Sequence, residues 1–228
     1  YNALPFDAKQ QDVFDFDIEA LEDGLMQLKN VMASGHHRIN VVFNISFETL
    51  SARHGRDDLT AVLRMVPPAL RQRIYANLCD IPEGIPPSRL MELYQYLTPF
   101  FRDVAVVMRH SKLQGSIKNT LSRLHAAGVR MVGIELPSIP TNLEIEWTKS
   151  TLALAKQLGL ITKVINVTRW SDVLAFAEGG VQLISGPVLV TPSRKLLPPK
   201  RLTIAEVRNR VNEDTSMDDM ARIKSSVG

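Results

Sequence analysis

Cysteine is nearly absent from this chain: Cys79 stands alone, so no internal disulfide can form and a reducing compartment, hence a cytoplasmic location, is the expected setting. No apolar run approaches the ~18 residues needed to span a bilayer, and no signal peptide is visible, which argues against membrane insertion of this segment. Charge of one sign is also lacking. The 27 Lys and Arg face 24 Asp and Glu, leaving a formal net charge of +3. A pI near 9.1, with no dense basic block interleaved with aromatics, gives no footing to nucleic-acid binding. The five histidines (His36, His37, His54, His110 and His125) are scattered, and none forms a ligand pair one turn apart on a helix. No internal repeat and no phosphate-loop signature occurs, and no cofactor is implied.

What is present is a soluble-type composition, 45% hydrophobic and 22% charged over 228 residues, enough for one barrel-sized domain or two small ones. The chain begins at Tyr1 rather than Met, so a longer parent protein is expected. From Asp17, the residues Ile18, Leu21, Leu25, Leu28 and Met32 recur at helical spacing and stop before Gly35. Short β-branched runs follow at regular intervals and predict strands near 39–45, 74–79, 103–109, 130–135, 161–167 and 181–185. Between them lie helical patterns. One covers Leu59 to Leu70, broken at Pro67-Pro68 after a polar loop from Arg53 to Asp58. Others start at Ser88 and near Ile117, the latter ending at Gly128. A Thr141/Glu144 capping box opens a helix running to Leu158. The last starts at Ser171, carries Val173, Leu174 and Phe176, and stops at Gly179-Gly180. Six strand–helix alternations with near-continuous apolar strands predict a parallel α/β architecture, with a short helix near Ile204 to Val211 beyond a proline-interrupted linker.

The stretch from Leu158-Gly159-Leu160 through GVQLISGPVLVTP resembles the end of EAL-type domains, the bacterial cyclic-di-GMP phosphodiesterases. Gly180, Gly186 and Pro192 fall in register with that family's closing pattern. Asn44, followed by Ser46 and Leu50, resembles its metal-binding Asn segment. The resemblance implies a (β/α) barrel-like fold, incomplete or divergent at the N-terminus because the family's first two strands have no counterpart. It divides the chain into an EAL-like domain over 1–192, with an N-terminal segment 1–38 and a barrel-like core 39–192, and a linker and tail over 193–228. The literal tripeptide Glu19-Ala20-Leu21 is not the family motif. It lies on an amphipathic helix whose Leu21, Leu25 and Leu28 should be buried and whose Glu19, Glu22 and Asp23 should face solvent.

Carried over position by position, the family's metal-assisted chemistry loses its ligands. Asn44 is the one metal-site position retained. Asn77 replaces a Glu, Arg109 and His110 the paired aspartates, Gly133 a lysine, Glu135 an aspartate, and Ile165 the Glu of the AEGVET segment. A guanidinium ~4 Å from an ion contributes about 4 kcal/mol of repulsion per unit charge at an effective dielectric near 20, so no metal site is expected. A Glu restored at Asn77 would be expected to pair with Arg109. The resemblance therefore implies a degenerate, catalytically inactive domain serving as a regulatory or protein-interaction module in bacterial signalling, its partner another protein, further domains of a longer chain, or a second copy in a homodimer. Two alternatives stand beside it. Arg109, His110 and Lys112 could pair directly with phosphate in a non-hydrolysing receptor for cyclic-di-GMP or another anionic nucleotide, although a solvated basic loop explains them equally. An enzyme of unrelated chemistry on an α/β scaffold has no positive residue evidence.

Overall fold

The computed structural model describes residues 9–35, 39–82, 84–109, 117–190 and 202–213. Its frame is one parallel sheet of six strands, β1 (Val41–Ser46), β2 (Ile74–Cys79), β3 (Asp103–Arg109), β4 (Met131–Glu135), β5 (Ile161–Ile165) and β6 (Leu183–Ile184), hydrogen-bonded in chain order. Every neighbouring pair is parallel, so all six carboxyl ends lie on one rim. The sheet curls into a half-barrel with helices on its outer face, and among the described residues the further strands that would close an eight-stranded barrel are not present.

Sequence alternation sets the two faces. Phe43, Ile45, Ile74, Leu78, Val104, Val106, Val132, Ile134 and Val164 point outward and are buried with the helices in one core. The helices are α1 (Gln10–Ala33), α2 (Phe47–Ser51), α3 (Arg53–Arg64), α4 (Pro68–Arg71), α5 (Pro87–Leu97), α6 (Ile117–Ala126), α7 (Asn142–Gln157) and α8 (Trp170–Glu178). A ninth, α9, covers 204–213. Its Val207 joins the core, Arg210 lies over the Trp170 ring and Arg208 pairs with Glu178, so α9 packs against α8.

In α1, Leu21, Leu25 and Leu28 are buried while Glu19, Glu22 and Asp23 are exposed, as the amphipathic pattern predicts. The same helix carries Asp17, 2% exposed. Its Oδ2 accepts hydrogen bonds from Ser46 N–H at 2.8 Å and Thr49 Oγ1 at 2.6 Å, fastening α1 to the end of β1 and the start of α2. Gly24 lets α1 sit on the ring of Phe43, since an added Cβ would stand 2.4 Å from Cε1.

Three local expectations need correction. Arg53 to Asp58 is the first half of α3, not a loop. Gly55 looks like a loop residue but is placed where a Cβ would meet Thr49 O at 2.5 Å, so close helix packing selects it. Ser88 lies inside α5, whose N-cap is Pro86 with Pro87 in the first turn. Ser171 lies inside α8, whose N-cap is Arg169. The Thr141/Glu144 capping box forms as expected.

Candidate functional site

The inner face of the sheet is where polar groups collect. Asn44 on β1 and Asn77 on β2 are register partners, and Asn77 Nδ2 donates to Asn44 Oδ1 at 2.7 Å. Asn77 Oδ1 in turn accepts from Lys163 Nζ on β5 at 3.0 Å. Lys163 is only 5% exposed. The register pairs it with Gly133 of β4, where an added Cβ would lie 3.3 Å from Val107 Cγ2 and 3.7 Å from Lys163 Cβ. Burial makes the ammonium expensive and pulls its pKa down to about 8.

At the carboxyl ends of β2, β3 and β4 a second constellation forms. Arg109 ends β3, and its guanidinium bridges Asp80 (NH1 to Oδ1, 2.9 Å) and Glu135 (Nε to Oε2, 2.8 Å). Asp80 follows β2 directly and holds φ +55, the left-handed region that Asp tolerates better than most residues. Burial opposes the charge on Arg109, but the hydrogen bond and charge of Glu135, with the charge of Asp80, more than offset it and hold its pKa above the ordinary guanidinium value. Cys79, immediately before Asp80, is buried with its Sγ 3.6 Å from Asn77 O. Desolvation first, then the carboxylates of Asp80 and Glu135, push its thiol up to about 12. A thiol so placed stays protonated, which excludes it as a nucleophile at neutral pH.

These contacts sharpen the sequence reading in three ways. Asp80 joins Glu135 at the strand ends, so two carboxylates are present there and one guanidinium spans both. Asn77 meets Lys163 rather than Arg109, so a carboxylate restored there would pair with the lysine. Lys163 itself escaped notice, although a lone charge inside the apolar run ITKVINV was the signal for it. Of the three basic candidates, Arg109 is engaged as described, and His110 and Lys112 lie outside the described residues. Among the described residues no group of three His, Cys, Asp or Glu side chains is arranged to hold a metal, and no helix is long and apolar enough to cross a membrane.

The closing turn has a physical reason for its glycines. Gly180 adopts φ +75 after α8. At Gly186 an added Cβ would lie 2.1 Å from Val167 O and 2.3 Å from Val167 N, so the turn after β6 lies directly on the backbone that follows β5, fixed by Val167 N–H to Ser185 O at 3.1 Å. Pro192 lies outside the described residues.

No family model matches the chain, and no curated protein does. Solved structures do. The Bacillus subtilis YkuI protein with an EAL domain, in complex with cyclic-di-GMP and calcium, aligns at TM-score 0.65 and 13% identity over 97% of this chain and 54% of its own. The Xanthomonas citri FimX EAL domain in complex with cyclic-di-GMP aligns at TM-score 0.57 and 15% identity, covering 83% of this chain and 74% of its own. The Vibrio cholerae LapD S helix-GGDEF-EAL structure aligns at 0.59 and 15%, covering 79% of this chain and 43% of its own. This chain spans about half the length of YkuI, and its fold is EAL-type.

Proposed function

We propose that this chain is a cyclic-di-GMP signalling module in which the EAL-type site has lost hydrolysis and acts through regulation or protein interaction. The observation that carries the reading is Arg109 bridging Asp80 and Glu135 at the strand ends. A divalent ion needs oxygen ligands that are free to turn toward it. Here both carboxylates already share a guanidinium, and an ion between them would first have to displace it. On β1, β2 and β5, Asn44, Asn77 and Lys163 are joined by hydrogen bonds, so the polar groups that could help hold a metal-bound water are engaged with one another.

Residues 1–192 would form the module and 193–228 an extension that returns through α9, the whole acting in the cytoplasm on a further protein or on other domains of a longer chain. A second reading, a receptor that binds without cleaving, draws on two cations of the inner face, Lys163 in the middle of β5 and Arg109 at the end of β3, and on neighbours solved with cyclic-di-GMP. Isothermal titration of the full chain with cyclic-di-GMP, with and without Mg²⁺, separates the two. Absence of binding in both arms supports the interaction module, metal-independent binding supports the receptor, and binding that requires Mg²⁺ contradicts both.

A further inference from the structure

A cavity of about 280 Å³ lies between α5 and α6, on the outer side of β3. Val106 and Met108 of β3 form its floor. Leu90 and Met91 of α5 make one wall, and Leu124 of α6 with Ala127 just beyond it make the other. The α6 side explains why the space is open. Thr120, Arg123, Leu124 and Ala127 stand at i, i+3, i+4 and i+7, one face of the helix, and only Leu124 is a large apolar residue. The face that turns toward α5 therefore ends in a methyl group at Ala127 and in polar groups at Thr120 and Arg123. From Thr120 to Ala127 is ~10.5 Å along the axis, which sets the length of the slot.

Its polar groups are few and of one net sign. Among the described lining residues the charged side chains are Asp80, Arg109 and Arg123, two cations against one anion. Asp80 and Arg109 are paired with each other at 2.9 Å, which leaves Arg123 as the uncompensated charge. Neither Arg123 nor Thr120 has a side-chain hydrogen bond or ion pair among the described residues. Helical side chains lean toward the N-terminus, which directs the guanidinium toward the turn of Thr120. An apolar slot with a cation and a hydroxyl toward one end is complementary to an apolar chain with an acid at its head. We propose that this cavity binds a medium-chain alkyl monocarboxylate, its head on Arg123 and Thr120 and its tail along Leu90, Met91 and Leu124 toward Ala127. The size agrees. At ~30 Å³ for a group the size of water, the cavity holds roughly nine or ten non-hydrogen atoms. An eight-carbon chain extends about 9 Å at ~1.3 Å of advance per bond. The inference does not depend on the functional reading above, since the cavity shares with the strand-end constellation only Asp80 and Arg109 at its rim.

Isothermal titration of the full chain with octanoate tests it, with octylamine as the same tail on a cationic head. Octanoate should bind one per chain with a Kd of roughly 10–500 μM, and octylamine should bind at least about tenfold more weakly. Arg123→Gln should weaken octanoate at least about tenfold, as expected on losing one charge-assisted hydrogen bond. Ala127→Leu, which fills the slot, should abolish binding. Arg123 is exposed and Ala127 half-buried, and circular dichroism melts confirm that each variant folds; should the leucine variant unfold, the arginine variant and methyl NMR decide. Octanoate should shift the methionine methyl signals of Met91 and Met108 and leave those of Met26 and Met65 unmoved. Absence of saturable binding up to ~5 mM overturns the proposal. So does binding that is indifferent to Arg123→Gln or Ala127→Leu, that prefers octylamine, or that moves Met26 and Met65 instead of Met91 and Met108.

Discussion

Replacing Lys163 by Met should change how stability responds to alkali. In the folded chain the ammonium is 5% exposed, bonded to the Asn77 amide, and held at a pKa of about 8 against 10.5 for a free lysine. A gap of that size corresponds to about 3 kcal/mol of differential interaction between the two protonation states. The sign follows from proton counting. Below pH 8 both folded and unfolded chains carry the proton, so the folded state bears the full cost of desolvating it. Between 8 and 10.5 the folded state has released its proton while the unfolded state still binds one, and stability rises with pH. The methionine variant lacks this titration. It also leaves Asn77 Oδ1 without its donor, costing about 1–3 kcal/mol, but that offset does not depend on pH. Urea unfolding of both proteins from pH 7 to 10.5 should therefore show the wild type gaining about 3 kcal/mol on the variant, with the change centred between 8 and 10.5. Other titrating groups are common to both and cancel. A difference that stays flat, or moves the other way, would show that Lys163 is hydrated or paired with a carboxylate and that the inner face is not built as described.

Asp17→Ala should lower stability by about 3 kcal/mol, because two charge-assisted bonds to Ser46 N–H and Thr49 Oγ1 are lost at a buried site; thermal melting should fall by roughly 6–12 °C for a chain of this size. Gly186→Ala should destabilise by about 1–3 kcal/mol, since the new methyl would meet Val167 backbone atoms rather than a movable side chain; a melt unchanged from wild type would refute that close approach. Arg109→Ala should cost only about 1 kcal/mol, because the ion pairs are partly exposed, but it frees Asp80 and Glu135 toward one another. Titration with Mn²⁺ should then show weak binding in the variant and none in the wild type, and equal binding by both would contradict the bridging role.

The six strands were legible because each is a short β-branched run bounded by turn residues, and the parallel order followed from the helices between them. α1 was legible on its apolar stripe. What was hidden lay in contacts distant in sequence. Asp17 reads as an ordinary helix residue until its partners, 29 and 32 positions away, are brought beside it. Arg109 reads as a free cation because its two carboxylates sit on the neighbouring strand and loop, and register across parallel strands leaves no local trace. Arg53 to Asp58 misled through composition: a charged run containing a glycine resembles a loop, whereas Gly55 is there to let two helices touch. The substitution at Gly133 was visible, but not that its register partner one strand over is the buried Lys163.

The central claim is that a site with its carboxylates bridged by Arg109 does not hydrolyse the cyclic dinucleotide. Incubating the full chain with cyclic-di-GMP and either Mg²⁺ or Mn²⁺, and resolving products by chromatography, tests it directly. Linear dinucleotide should rise no higher than in the protein-free control, with Asn77→Glu equally silent because the new carboxylate meets Lys163. Linear product above that control, abolished by a chelator, would contradict it.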